Sequence, residues 1–107
     1  SRRDLLPGTL DMLILKTLIA RAMHGYGIAQ HIQRLSQDVI QVEEGSLYPA
    51  LQRMRQKGWI KAEWRQTPNN QRARYYTVTR LGQKQLGAEE AGFSDLIMAI
   101  SRVMKPA

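Results

Sequence analysis

Two consecutive segments with alternating apolar and polar residues constrain the fold of this chain most. The first, "WIKAEWR" at 59–65, places Ile60 and Trp64 on the same face of a strand. The second, "ARYYTVT" at 73–79, is rich in aromatic and β-branched residues, which favour strands. The connection "QTPNNQR" contains proline and asparagine, which are common in turns. We therefore predict one β-hairpin, with Trp64 in the core beside Ile60.

Helical periodicity dominates the rest of the chain. Residues 10–22 follow a start signal that includes Pro7, and they are apolar over most of the circumference of a helix, so we expect burial on two sides. A turn at 24–27 precedes a short second helix in "IAQHIQRLS". Thr79 is a suitable cap for a final helix. Apolar residues recur in that helix at spacings of three and four, namely Phe93, Leu96, Ile97, Ile100, Val103 and Met104.

The stretch "EEGSLYPALQRMRQKG" predicts a third helix with two different faces. Ser46 is a suitable N-cap, Pro49 then falls in the first turn, where its missing N–H costs nothing, and Gly58 ends the helix. At about 100° per residue, one side is apolar and consists of Leu47, Ala50, Leu51 and Met54. The opposite side consists of Tyr48, Pro49, Gln52 and Gln56, flanked by Arg53 and Arg55.

Positive charge is concentrated in one part of the chain. The net charge is +7, but the segment from Arg53 to Lys84 holds nine Lys and Arg against one acidic residue, Glu63, and carries +8. So one-sided a field attracts a polyanion such as nucleic acid. The alternative is a solvated face that charge keeps soluble.

Composition argues against several classes of protein. The chain has no cysteine, which removes disulfides, thiolate nucleophiles and zinc ribbons. His24 and His31 are too far apart to share a metal, and neither Glu43–Glu44 nor Glu89–Glu90 accompanies a nucleophile. We expect no catalytic activity, no metal and no cofactor. No apolar run approaches the roughly 20 residues of a membrane span, so we expect a cytoplasmic location.

The order of elements, three helices, a hairpin and a further helix, is that of a winged helix-turn-helix domain. This fold is mainly α with a small β-hairpin, and its third helix enters the major groove of double-stranded DNA. We expect residues 1–80 to form the DNA-binding domain and residues 81–107 a C-terminal dimerisation helix. The apolar set of that last helix exceeds what a small domain can cover, and helix 10–22 offers a second contact surface.

We therefore predict a homodimer whose contacts include Leu10, Ile14, Phe93, Leu96, Ile97, Ile100, Val103 and Met104. The alternative is that the last helix folds back on its own domain.

The predicted DNA contacts follow from side-chain chemistry. Gln52 can pair with an adenine edge, and Tyr48 or Pro49 can touch a thymine methyl. Ser46, at the helix N-terminus, can hold a phosphate. Further phosphate and minor-groove contacts are assigned to Arg53, Arg55, Lys57, Asn69, Asn70, Gln71 and Arg72. The alternatives are that Tyr48 packs under the hairpin, that Pro49 only starts the helix, and that Arg72 and Arg74 solvate a β edge.

Four segments resemble the PadR family of bacterial transcriptional regulators, in its short-tailed branch. They are "LLPGTLDMLILKTL", "HGYGIAQHIQRLS", "EEGSLYPALQRMRQKGWIKAEW" and "NNQRARYYTVTRLGQKQL". The resemblance implies a winged-helix homodimer that represses transcription from a two-fold symmetric operator. It also implies that the residues matching the DNA-contacting motif are Tyr26, Ser46, Tyr48, Pro49 and Arg72, with Gln52 and Arg53 at variable positions.

The resemblance also implies that a small aromatic or drug-like effector can release the protein from DNA, and some members of this family bind flat drugs through a tryptophan of the last helix. Phe93 is the only aromatic residue there in this chain, so effector binding by that route is not expected. Two rival functions share the basic segment and the fold: an RNA-binding module and a protein-interaction adaptor. The helix sized for the major groove, without a ladder of aromatic residues for stacking bases, favours DNA over RNA.

Overall fold

Seven elements follow one another in the computed structural model, which describes residues 8–106. They are α1 (Thr9–Ala20), β1 (Met23–His24), α2 (Gly25–Leu35), α3 (Glu44–Gln56), β2 (Ile60–Gln66), β3 (Arg72–Val78) and α4 (Arg80–Met104). The predicted order of three helices, a hairpin and a further helix is confirmed. Pro7, predicted to lie near the start of α1, is outside the described residues.

The core lies where α1, α2 and α3 meet the inner face of the sheet. Its largest fully buried side chains are Ile14, Leu15, Ile28, Leu47, Leu51 and Met54. In the sequence analysis Ile14 belonged to the dimer surface, but its side chain is fully buried within its own protomer, and Leu10 is half-buried against the same core. We therefore leave Ile14 out of the interface proposed below.

The turn predicted at 24–27 is instead a strand followed by the first turn of α2. Met23 pairs with Tyr76 and His24 with Tyr75, so β1 joins the hairpin in a three-stranded antiparallel sheet of order β1-β3-β2. The Nδ1 atom of His24 accepts a hydrogen bond from the Gly27 N–H at 3.0 Å and caps α2. Two residues are too few to show strand periodicity, which is why the sequence pattern did not reveal β1.

The predicted hairpin is confirmed, with a register that runs from Ile60 opposite Val78 to Gln66 opposite Arg72. A tight turn at 67–71 joins the strands. The prediction that Trp64 belongs to the core is wrong, because this residue is 58% exposed. Trp64 does lie on the same strand face as Ile60, but the core ends before it: Ile60 is buried, Ala62 is partly buried and Trp64 is exposed.

The final helix leaves its own domain halfway along. Its cap is as predicted, since the Thr79 hydroxyl oxygen accepts the Gly82 N–H at 3.0 Å. Gly82 and Leu86 are buried in the domain, whereas every residue from 91 to 106 is exposed. The alternative that the helix folds back on its own domain thus holds for the first half only. A helix of 25 residues is about 37 Å long, and the molecule as a whole measures 59 × 31 × 22 Å.

Candidate nucleic-acid interface

The third helix begins three residues earlier than predicted. Glu43 is its N-cap, and the N–H groups of Ser46 and Leu47 both donate to the Glu43 carbonyl, so Ser46 lies in the first turn and is not the cap. Glu44 in that turn is favoured by the positive end of the helix dipole. Pro49 consequently lies in the second turn, where its missing N–H leaves the Gly45 carbonyl without a helical donor. Gly45 is exposed, so water can satisfy that carbonyl.

The two predicted faces of α3 are confirmed. The inner face is buried in the core and consists of Leu47, Ala50, Leu51 and Met54. The outer face is exposed and consists of Tyr48, Pro49, Gln52 and Gln56, with Arg53 and Arg55 beside them. Hydrogen-bonding and aromatic side chains therefore cover the free side of a helix held firmly from beneath.

Tyr48 packs on the start of α2, and it also lies near Tyr76 of the hairpin. A Cβ atom on Gly25 would lie only 2.9 Å from the Tyr48 ring and from its hydroxyl oxygen, so the glycine provides the space that the ring occupies. The ring stays 44% exposed, which leaves an edge free for a partner. Next to it, Tyr26 is 65% exposed, and its hydroxyl oxygen accepts a hydrogen bond from Gln30 at 2.9 Å.

Arg53 is tied to α1. Its Nη2 atom lies 2.7 Å from Oδ1 of Asp11, whose side chain is only 9% exposed. About half of the Arg53 side chain remains at the surface. The contact joins residues 42 positions apart in the sequence, and the only signal for it was an acidic residue within an apolar helix. Asp11 therefore supports the orientation of α3, a role that the sequence analysis missed.

The wing, defined here as residues 60–78, orders its cations in two ways. Arg65 forms an ion pair with Glu63 on the outer face. On the inner face, the guanidinium groups of Arg72 and Arg74 lie over the Trp64 ring. A carboxylate therefore balances the charge of Arg65 on the outer face. On the inner face Arg72 and Arg74 lie over an uncharged ring, so their positive charge is not balanced.

The tip of the wing is held by its own side chains. Asn70 has a left-handed backbone with φ of 64°, a conformation that asparagine tolerates better than most residues. Its Oδ1 atom accepts a hydrogen bond from Gln66, and the Thr67 hydroxyl oxygen accepts one from the Gln71 N–H at 3.1 Å. Asn70, which is predicted to contact DNA, is therefore also part of the turn through its side chain.

Two depressions bring α3 and the wing onto one surface. A cleft of about 580 Å³ is lined by Tyr26, Tyr48, Arg72 and Arg74, among others. A groove of about 510 Å³ between α3 and β2 is lined by Gln52, Arg55, Gln56, Ile60, Lys61 and Ala62. The cleft thus joins Tyr26 of α2 and Tyr48 of α3 to the wing, and the groove joins Gln52 and Arg55 of α3 to β2.

Tyr76 closes the inner side of this region. Burial raises the pKa of its hydroxyl above the ordinary value, and this effect exceeds the opposite one of the nearby Arg74 guanidinium. The phenol is therefore neutral at physiological pH, and the positive charge of Arg74 is not balanced by a phenolate.

Neither a metal cluster nor a membrane span is present in the part of the chain that the structure describes. Residues 8–106 contain no group of three His, Asp or Glu side chains placed to hold a metal ion. No helix among them is both long and apolar enough to cross a bilayer.

Comparison with known proteins agrees with this geometry. Residues 14–88 match the model of the transcriptional regulator PadR-like family. An uncharacterised protein of Lysinibacillus sphaericus is 32% identical over 85 residues, which cover 79% of this chain and 78% of the relative.

Two solved structures illustrate the likeness in three dimensions. A transcriptional regulator from Clostridium thermocellum has a TM-score of 0.84 and 26% identity, with 92% of this chain and 95% of that chain covered. A PadR family transcriptional regulator from Eggerthella lenta has a TM-score of 0.79 and 26% identity, with 94% and 85% covered. Residues 8–106 form four helices and a three-stranded sheet with a wing, and the chain belongs to the PadR-like family of transcriptional regulators, which are DNA-binding proteins and not enzymes.

Proposed function

We propose that the protein is a cytoplasmic, homodimeric repressor that binds a two-fold symmetric DNA operator. The observation that carries this proposal is the single surface on which the outer face of α3 and the cations of the wing lie together. An α-helix fits the major groove, and a wing beside it reaches the adjacent backbone or minor groove. Residues 1–80 act as the DNA-binding domain and residues 81–107 as the dimerisation helix.

Base reading is assigned to the exposed α3 side chains and positioning to the cations. Gln52 pairs with an adenine edge, and Tyr48 and Pro49 contact thymine methyl groups. Phosphates are held by Ser46, Tyr26, Arg55, Asn70 and Arg72, and by Arg53 to the extent that Asp11 leaves it free.

The dimer surface is the free half of α4. Positions 82, 86, 89, 93, 96, 100 and 103 follow one another at alternating spacings of four and three, which is the periodicity of a coiled-coil seam. The first of these residues pack on the domain, while Phe93, Leu96 and Ile100 continue the same stripe and are 40–47% exposed. A second copy of the stripe covers this apolar surface and places two α3 helices on one face of a duplex.

Selection of bound duplexes from a random pool tests the proposal directly. We expect an inverted repeat whose half-sites are centred about 10 base pairs apart, or a multiple of that distance. Structured RNA should compete poorly. Enrichment of no sequence, or of single half-sites without symmetry, contradicts the proposed operator.

Two substitutions separate base reading from phosphate binding. Gln52→Ala should change base preference, with a cost of about 1–3 kcal/mol at the position it reads. Arg72→Ala should weaken all duplexes alike and reduce the slope of log affinity against log salt by about one. Affinities for operator and single-base variants over several salt concentrations measure both effects. Equal losses on every duplex for Gln52→Ala rule out its base-reading role.

Gly25→Ala tests the support of Tyr48. The added methyl group displaces the Tyr48 ring, which lies 2.9 Å from the new Cβ position, while the helical backbone accepts alanine. We expect operator affinity to fall about three- to tenfold, which corresponds to roughly 1 kcal/mol, with a melting temperature close to that of the wild type. Tyr48→Ala is the matched variant, and the double variant should lose no more than Tyr48→Ala alone. Full additivity means that Gly25 acts elsewhere.

A further inference from the structure

Trp64 stands at the place where the hairpin leaves the core. Ile60, on the same strand face, is 2% exposed, and Ala62 packs against the core, but Trp64 is 58% exposed. A side chain so exposed contributes little to the buried interior. Its ring does have contacts with side chains of the opposite strand of the wing.

Those contacts are two guanidinium groups. Arg74 is the direct cross-strand partner of Trp64, and Arg72 lies diagonally opposite, paired with Gln66. Their Cζ atoms are 5.9 Å and 5.5 Å from the centre of the Trp64 ring. Both distances are within the range of a cation–π interaction, for which tryptophan is the best ring. One ring therefore holds two cations.

The surroundings of Arg74 reinforce this arrangement. Its Nε atom is buried and has no hydrogen-bond partner among the described residues. Residues 8–106 provide no carboxylate in an ion pair with Arg72 or Arg74, whereas Arg53 and Arg65 are paired with Asp11 and Glu63. Because a ring has no net charge, the two inner arginines keep their full positive charge.

We propose that Trp64 is a positioning residue of the DNA interface, whose ring orders Arg72 and Arg74 before the phosphate backbone arrives. The inference rests on the proposed function, since it requires the wing to lie against DNA. Arginine loses side-chain freedom when it binds a phosphate, and a group that is already ordered loses less. Trp64 thus raises affinity for every duplex through its neighbours.

A measurement without DNA tests the ordering itself. Nitrogen-15 relaxation of the arginine Nε–Hε groups in the Trp64→Leu variant should show increased mobility of Arg72 and Arg74. Arg65, which lies 5.5 Å from the Tyr75 ring on the other face, is the internal control and should not change. Unchanged mobility of both inner arginines overturns the proposal.

Binding measurements test the consequence. Anisotropy titrations of a labelled duplex should show that Trp64→Leu weakens binding about three- to tenfold on any sequence, with a melting temperature near that of the wild type. Trp64→Phe, which keeps a ring, should recover part of the loss. In an Arg72→Gln/Arg74→Gln background, Trp64→Leu should have no further effect. A further loss in that background means that Trp64 contacts DNA itself, which overturns the positioning role.

The two measurements also separate this inference from the proposed function. If the wild type binds no duplex, the proposed function is wrong, while increased arginine mobility in Trp64→Leu still supports the ordering of the wing by its tryptophan. If the wild type binds DNA and Trp64→Leu loses affinity only in proportion to a loss of melting temperature, the residue is merely structural and the inference fails.

Discussion

Gly82→Ala is expected to destabilise the protein by about 3 kcal/mol, because overpacking against a backbone cannot be relieved by a side-chain rotation. A Cβ atom at this position would lie 2.1 Å from the Trp59 carbonyl oxygen and 2.8 Å from a Val78 methyl group. Helix α4 must therefore move away from the hairpin to admit a methyl group. Thermal unfolding followed by circular dichroism should show a melting temperature lower by about 10–20 °C.

Gly87→Ala is the matched control on the same helix. No atom lies within 4 Å of a Cβ built on Gly87, and alanine favours a helix over glycine by about 1 kcal/mol. The melting temperature should rise by a few degrees when both variants are compared at equal protein concentration. If Gly82→Ala is as stable as Gly87→Ala, α4 does not dock on the hairpin as the structure describes.

Ile100→Glu is expected to convert the dimer into monomers and to lower operator affinity about 100-fold or more, since each subunit then binds its half-site alone. Ile100 lies on the stripe that continues from Gly82 and Leu86 and is 47% exposed in the single chain. A carboxylate there is stranded in an apolar interface. Sedimentation velocity measures the assembly, and titration of a symmetric duplex measures the affinity.

Met98→Glu controls for the added charge. Met98 is 52% exposed on the same helix, but two residues before Ile100 it points about 160° away from the stripe. This variant should remain dimeric and bind the operator nearly as well as the wild type. Dissociation by both variants places the interface elsewhere on α4, and dissociation by neither contradicts the proposed dimer.

The elements that the sequence predicts well are those whose signal is local and repeated. The two faces of α3 follow from helical spacing alone, and burial of Leu51 against exposure of Gln52 agrees with it. The hairpin follows from alternation over seven residues in each strand. The cap at Thr79 follows from residue type at the right place.

The features that the sequence did not predict depend on distant partners or on competing local signals. Alternation assigns Trp64 to a face, but the extent of the core decides whether that face is covered. The N-cap of α3 is Glu43 and not Ser46, although serine is also a good cap. Negative charge on Glu43 and Glu44 is favoured at a helix N-terminus. The pairing of Asp11 with Arg53 spans 42 residues, so no pattern within either helix reveals it.

The Asp11–Arg53 pair has a consequence for how an operator is measured. Helix α1 packs against both α3 and α4. The helix proposed to enter the major groove and the helix proposed to form the dimer are therefore held by the same element. In the proposed dimer, side-chain packing therefore fixes the distance between the two α3 helices. One base pair inserted between the two half-sites rotates the second half-site about 35° around the duplex axis. Two DNA-binding domains in a fixed relative orientation cannot then bind both half-sites. Such a regulator should depend on the spacing between the half-sites as strictly as on their base sequence.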